Sequence, residues 1–178
     1  MTTVLDKSKM SEEDIKLQYI TPAITAKWNQ HKITMETKIT DGRVNIKGNM
    51  ASREAPKRVD YLLYLSDNKP IAVVEAKDNN HSVSYGLQQA ITYAKMLDLP
   101  FAYSSNGDGF VEHDFLTGIE RTLSLDEFPS ETELITRFKA ESNNGNGISA
   151  KEESIIEQPY YSSRETYSPR YYQRIAIN

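Results

Sequence analysis

Residues 57–77 read KRVDYLLYLSDNKPIAVVEAK, and this stretch decides the fold. Two runs of branched and aromatic apolar residues flank SDNKP, a connection short and turn-rich enough to make an antiparallel hairpin. The second run reads as a buried strand, yet it ends in Glu75-Ala76-Lys77, two opposite charges one residue apart. Side chains alternate along a strand, so Val73, Glu75 and Lys77 share one face while Val74 and Ala76 take the other. Asp60 lies in the partner strand, where the hairpin brings it towards the same spot.

Upstream, residues 11–29 read as a helix. Ser11 is a good N-cap with Asp14 at capping-box spacing, and Glu12, Glu13 and Asp14 put negative charge at the positive end of the helix dipole. Pro22 is expected to kink or split that helix, because it has no N–H to donate. Residues 31–39 read as a strand and 40–56 as an irregular polar segment. Downstream, residues 83–98 place Leu87, Ala90, Ile91, Ala94 and Leu97 on one apolar face of a helix. PFAYSSN and GFVEHDF read as two strands around Gly107-Asp108-Gly109, and a last helix covers 130–140, with Ser130 and Glu133 at capping-box spacing. Strands interleaved with helices predict an α/β fold, a mixed central sheet flanked by helices.

Composition narrows the classes. With 178 residues, 38% hydrophobic and 26% charged, the chain has room for one domain with a real core. It contains no cysteine, so disulfides and thiolate metal sites are excluded. There is no apolar run of membrane-spanning length and no signal-peptide pattern, so a cytoplasmic protein with no membrane partner is expected. A net charge of −4 does not advertise nucleic-acid binding, although a local basic patch survives such an average.

Asp60, Glu75 and Lys77 make a chemical set. Two carboxylates suit Mg²⁺, a hard cation that takes oxygen ligands, and an ammonium beside them orients a water or counters a phosphate. That is equipment for hydrolysing a phosphodiester. The acid-x-Lys triplet also occurs at Asp14-Ile15-Lys16, Glu36-Thr37-Lys38 and Asp67-Asn68-Lys69. The first falls on a helix, where i and i+2 point apart, the second on a polar strand and the third in a turn. Spacing alone leaves two readings of Glu75 and Lys77 open, a surface ion pair or a catalytic pair. Gln89 and Tyr93 lie four residues apart at the edge of the apolar helix face, either bordering the core or leaning over the site. His31, His81 and His113 are too scattered for a zinc set.

Asp60, then Glu75-x-Lys77, then Gln89-xxx-Tyr93 resembles the PD-(D/E)XK nuclease superfamily, in its RecB-like branch with the added Gln-xxx-Tyr motif. More narrowly, SEEDIKLQYITPAI, RVDYLLYLSDNKPIAVVEAKD, GLQQAITYAKMLDLPFAYSSNGDGF and DEFPSETEL look like the N-terminal nuclease domain of the restriction (R) subunit of type I restriction–modification enzymes. The resemblance implies that Asp60, Glu75 and the Ala76 carbonyl bind Mg²⁺ and that Lys77 positions the attacking water. Gln89 and Tyr93 would support the site or the DNA. An acid of the first helix would join them, with Glu12 the best match and Asp14 the second. Lys57 and Arg58 are the local groups available to double-stranded DNA. Two features depart from the family pattern: Lys16 stands where an Arg is usual, and Val59 precedes Asp60 in place of a proline.

The same resemblance implies a nuclease domain over 1–140, a linker over 141–169 and the start of a truncated helicase motor over 170–178. The tyrosines at 160, 161, 167, 171 and 172 would then pack against that motor, the other reading being that they stack on bases. ATP would serve the full-length subunit only, since the Walker sequence is absent here. Modification (methyltransferase) and specificity subunits would be the partners. Two other readings remain: a catalytically silent module that docks DNA or subunits, and a stand-alone RecB-like nuclease.

Overall fold

The computed structural model describes residues 6–39, 44–47, 50–53, 56–66 and 69–145. The first helical segment opens on the capping box: Ser11 Oγ accepts from the Asp14 N–H, and the Asp14 carboxylate accepts from the Ser11 N–H. It continues through α1 (Glu12–Ile15), a π turn (Lys16–Ile20) and α2 (Thr21–Thr25). Pro22 opens α2 and has no N–H to give. The turn before it widens, with the Thr21 N–H reaching back to the Lys16 carbonyl. The expected disruption at Pro22 is thus a π turn inside a continuing helix.

After β1 (Ile33–Lys38) come β2 (Val44–Lys47) and β3 (Met50–Arg53), a separate antiparallel pair. This corrects the expectation of an irregular segment over 40–56. Val44 and Ile46 alternate with polar residues, and Gly48-Asn49 between the strands is turn chemistry. The decisive hairpin forms as β4 (Arg58–Ser66) and β5 (Lys69–Ala76). Next come α3 (Leu87–Leu97), β6 (Phe101–Ser105), β7 (Phe110–Asp114), β8 (Glu120–Leu123) and α4 (Glu131–Gly145). β8 is not foreshadowed by local pattern, being a short edge strand with three charged or polar residues among four. The last helix runs past 140, so the segment expected to be a linker begins as helix; the rest of it, the motor start and the terminal tyrosines lie outside the described residues.

The main sheet has the order β1-β4-β5-β6-β7-β8, antiparallel except between β5 and β6, where α3 makes the crossover. The fold is therefore α/β with a mixed sheet, as expected. Every residue of β5 from Pro70 to Ala76 is buried because both faces are covered. Leu62, Val73 and Ala102 pack under α3 on one face, against Leu87, Ala90, Ile91, Ala94 and Leu97. On the other face, Tyr61, Val74 and Phe101 pack with Ile15, Ile20, Ile24, Trp28, Phe128 and Leu134. Among the described residues no helix is long and apolar enough to cross a membrane.

A charged network pins α4 to the far strands. Glu112 of β7 is 1% exposed. Arg137 forks onto it with bonds of 3.0 and 2.8 Å, Arg121 Nε donates at 2.7 Å, and the Tyr103 hydroxyl donates at 2.5 Å. Arg137 also reaches Asp114 at 2.7 Å, and its guanidinium lies 4.6 Å from the centre of the Phe101 ring. Burial pushes the Glu112 carboxyl up, but the bonds from Arg137, Arg121 and Tyr103 outweigh it and hold the pKa below the usual glutamate value. Burial and the Glu112 charge together drive the Tyr103 hydroxyl well above an ordinary tyrosine.

Candidate active site

Strand register sets acids side by side. Met35 faces Tyr61 and Thr37 faces Val59, which puts Glu36 across from Asp60. Leu62 faces Val73 and Tyr61 faces Val74, so the next step puts Asp60 across from Glu75, and Glu75 faces Ser104. Glu36, Asp60 and Glu75 thus form a row across three neighbouring strands. Glu36 sits at φ 51°, a left-handed conformation that a residue with a side chain adopts at a cost of about 1–3 kcal/mol.

Asp60 is 8% exposed and held at both oxygens. Its Oδ2 accepts from the Ala76 N–H at 2.8 Å, and its Oδ1 lies 2.7 Å from the ammonium of Lys16. Lys16, 2% exposed, was not among the expected site residues. Its Nζ also lies 3.0 Å from Glu13, 3.0 Å from Glu36 and 3.4 Å from Glu12. Burial works against that charge, but the bonds to Asp60, Glu13 and Glu36 outweigh it and lift the pKa above that of an ordinary lysine. Lys16 and Glu36 come from two triplets whose local settings argued against a site. A lysine on the buried side of an acidic helix start was the available signal.

Glu75, 3% exposed, carries the opposite imbalance. Its Oε1 meets Lys77 Nζ at 3.0 Å, while its buried Oε2 has no hydrogen-bond partner among the described residues. Burial first, and the Asp60 charge second, push its pKa up to about 8. Lys77, despite burial, is held above the usual lysine value by its bond to Glu75, so at neutral pH it is an ammonium donor and not a base. The close packing here depends on Gly86, just before α3. A Cβ on Gly86 would stand 3.0 Å from Ser104 Oγ and 3.2 Å from Glu75 Cγ, and the Gly86 N–H donates to Ser104 Oγ.

The remaining expected residues separate into near and far. Glu12 faces the site through Lys16, whereas Asp14 is spent on the Ser11 cap. Tyr93 is buried beside the site, close enough for Glu75, Lys77 and Asp60 to act on its ionisation. Gln89 donates to the Tyr93 hydroxyl at 3.0 Å and so meets the site through that ring, not through Lys77. Lys57 precedes β4 and Arg58 opens it, with Arg58 reaching the Glu36 carbonyl at 3.5 Å. His81 bonds Asp78 and stacks on Tyr85 with ring centres 4.1 Å apart.

The oxygen-only set fits a divalent cation. Burial and the Asp60 charge oppose ionisation of Glu75, so a proton is held between the two acids, and among the described residues no other donor reaches Glu75 Oε2; a cation placed there would take over the role of that proton. No group of three or more His, Cys, Asp or Glu side chains suited to a metal occurs among the described residues, which leaves Asp60 and Glu75 as a pair of buried carboxyls.

With that geometry in place, comparisons with known proteins are informative. The family model for the type I restriction enzyme R protein N terminus (HSDR_N) matches residues 23–129. The chain belongs to this family. The endonuclease subunit of the type I restriction enzyme EcoAI from Escherichia coli is 39% identical over 180 residues, which cover 98% of this chain and 22% of that subunit. A fragment structure assigned to an HsdR subunit of a type I restriction enzyme from Vibrio vulnificus YJ016 superposes with a TM-score of 0.79 at 40% identity. It covers 95% of this chain and 31% of that one. The chain thus spans about a fifth of its curated relative and a third of its structural one, and it shares the α/β, restriction-endonuclease-like fold.

Proposed function

We propose that the chain is the Mg²⁺-dependent nuclease domain of a type I restriction enzyme R subunit, of the PD-(D/E)XK kind. In this reading it hydrolyses DNA phosphodiesters when joined to its motor and to modification and specificity subunits. The observation that carries the reading is the buried Asp60–Glu75 pair, two acids at one place with an ammonium on Glu75 Oε1 and, among the described residues, no donor on Oε2. Two acids facing each other in a buried place oppose each other's ionisation, a cost that a cation between them relieves. Asp60, Glu75 and the Ala76 carbonyl would hold the ion. When bound, Mg²⁺ supplies charge neutralisation for the phosphate and a more acidic water.

The chain's own groups do the rest. The Ala76 N–H and Lys16 fix both oxygens of Asp60, so the carboxylate does not reorient. Lys77 keeps its proton and donates it as a hydrogen bond, orienting the attacking water or a phosphate oxygen. The Tyr93 ring, steadied by Gln89, closes the α3 side. ATP belongs to the motor in this scheme. In the assembled enzyme, Lys77→Ala should abolish DNA cleavage while leaving ATP hydrolysis and the folding of this domain intact. Unchanged cleavage would favour the silent docking module instead.

A further inference from the structure

The acid row has two gaps, and they are filled differently. Between Glu36 and Asp60 stands the Lys16 ammonium, 3.0 Å from one and 2.7 Å from the other, with Glu12 3.4 Å away on the helix side. Between Asp60 and Glu75 no ammonium of the described residues stands: Lys77 lies beyond, on Glu75 Oε1, and none of those residues donates to the buried Glu75 Oε2. We propose that Lys16 is a resident cation of the site, occupying the position between the first-helix acids and Asp60, so that the chain takes one divalent ion and takes it in the Asp60–Glu75 gap. This rests on the metal-dependent reading above and deepens it.

Three observations support a built position. Lys16 is 2% exposed although the side chains of its partners Glu13 and Glu36 stay exposed, so the charge is held on the inner side of the cluster. Its partners come from α1, β1 and β4, which no local sequence preference would assemble. Glu36 reaches it from a strained left-handed backbone, and such strain persists where the surroundings hold it in place. Two-ion sites place their ions about 3.5–4 Å apart so that each steadies one reacting oxygen. Here the second charge is covalently tethered. It cannot shed its position to a substrate oxygen as an ion does, and it needs no free cation to fill it. Glu12 then acts as a positioning residue that holds Lys16, not as a metal ligand.

The test counts ions. The chain is titrated with Mn²⁺, free Mn²⁺ is read by electron paramagnetic resonance, and folding is followed by circular dichroism. The native chain and Lys16→Arg should each bind one Mn²⁺. Lys16→Met and Lys16→Gln should bind two, and adding Glu12→Gln to either should return the count to one. Crystals grown with Mn²⁺ should show one anomalous peak, on the Glu75 side of Asp60; this measurement does not depend on the variants folding. Two ions in the native chain, or a peak between Glu12 and Asp60 with Lys16 displaced, would overturn the proposal while leaving the metal-dependent reading standing. A folded Lys16→Met that still binds one ion would overturn it equally. No Mn²⁺ bound at all, with the native chain folded, would remove the metal reading itself.

Discussion

Two glutamates are buried on this sheet, and the fold treats them in opposite ways. Glu112 is met by two guanidinium groups and a tyrosine hydroxyl, and its carboxyl is held below the ordinary value. Glu75 is met by one ammonium, sits beside a second carboxylate and is pushed up to about 8. Both have an aspartate for company, Asp114 at one and Asp60 at the other. The difference lies in the count of cations, and it separates a carboxylate that fastens α4 to the sheet from an acid left short of donors among the described residues. A buried acid whose ionisation its surroundings oppose costs stability, so its retention points to use, whereas a saturated one is explained by structure alone.

The sharpest way to break the comparison is to neutralise each glutamate in place. Glu112→Gln removes the acceptor shared by Arg137, Arg121 and Tyr103, and should cost about 2–3 kcal/mol in urea unfolding. That is the low side for a broken buried pair, because Arg121 remains partly in water and Asp114 still holds Arg137. Glu75→Gln, measured in chelator at neutral pH, should instead be neutral or stabilise by about 1–2 kcal/mol, since it relieves the cost of keeping a glutamate protonated in the fold while the unfolded chain would ionise it. Equal losses from both changes would mean that Glu75 is structural after all.

The second prediction turns on the sign of proton linkage. The folded pKa of Glu75 is raised from 4.5 to about 8, so its contribution is fully present below the unfolded value and is lost as pH rises through about 8. The folded pKa of Glu112 is lowered, so its contribution is present above the unfolded value and is lost as pH falls through the folded one. In chelator, stability should therefore fall on both sides of a mildly acidic optimum, each arm approaching at most about 1.4 kcal/mol per pH unit. Glu75→Gln should flatten the alkaline arm alone and Glu112→Gln the acid arm alone. Unfolding midpoints measured from pH 3 to pH 9 decide it, and an alkaline arm that survives Glu75→Gln would contradict the assignment.

Much of this was legible from the sequence, for reasons that differ between the two regions. Alternation along 71–77 and the shortness of SDNKP were enough to bring Asp60, Glu75 and Lys77 to one place, because a hairpin fixes its own register. Ser11, Ser130 and the apolar face of α3 are likewise local signals. Lys16 was not legible as a site residue, because its partners Glu36 and Asp60 are supplied by strands far along the chain. Glu112 was hidden in the same way. In FVEHD it shares a face with the buried Phe110, a charge on an apolar side, but nothing local says that Arg137 will arrive from α4 to meet it. β8 carries almost no apolar alternation, and it pairs because β7 offers an edge, with Arg121 drawn to Glu112. Short-range periodicity shows where strands and helices run; the assignment of charges to partners is a property of the tertiary structure.

The smallest effect tests whether the Glu112 region depends on geometry as well as charge. Arg137 makes two parallel bonds to the Glu112 carboxylate, a third to Asp114, and lies over the Phe101 ring. A guanidinium presents planar paired donors and a weakly hydrated face, while an ammonium offers a compact, strongly hydrated charge. Arg137→Lys therefore keeps the ion pair but gives up the fork and the ring contact, and should cost about 1 kcal/mol of folding stability. The Glu112 carboxyl should also drift upward, moving the acid arm of the stability profile to higher pH. In Glu112→Gln the same change should cost less, because the fork has already lost its charged acceptor, and a double-mutant cycle reads that coupling directly. Full additivity of the two substitutions would mean that Arg137 serves Asp114 and Phe101 alone, and that the saturation of Glu112 comes from Arg121 and Tyr103.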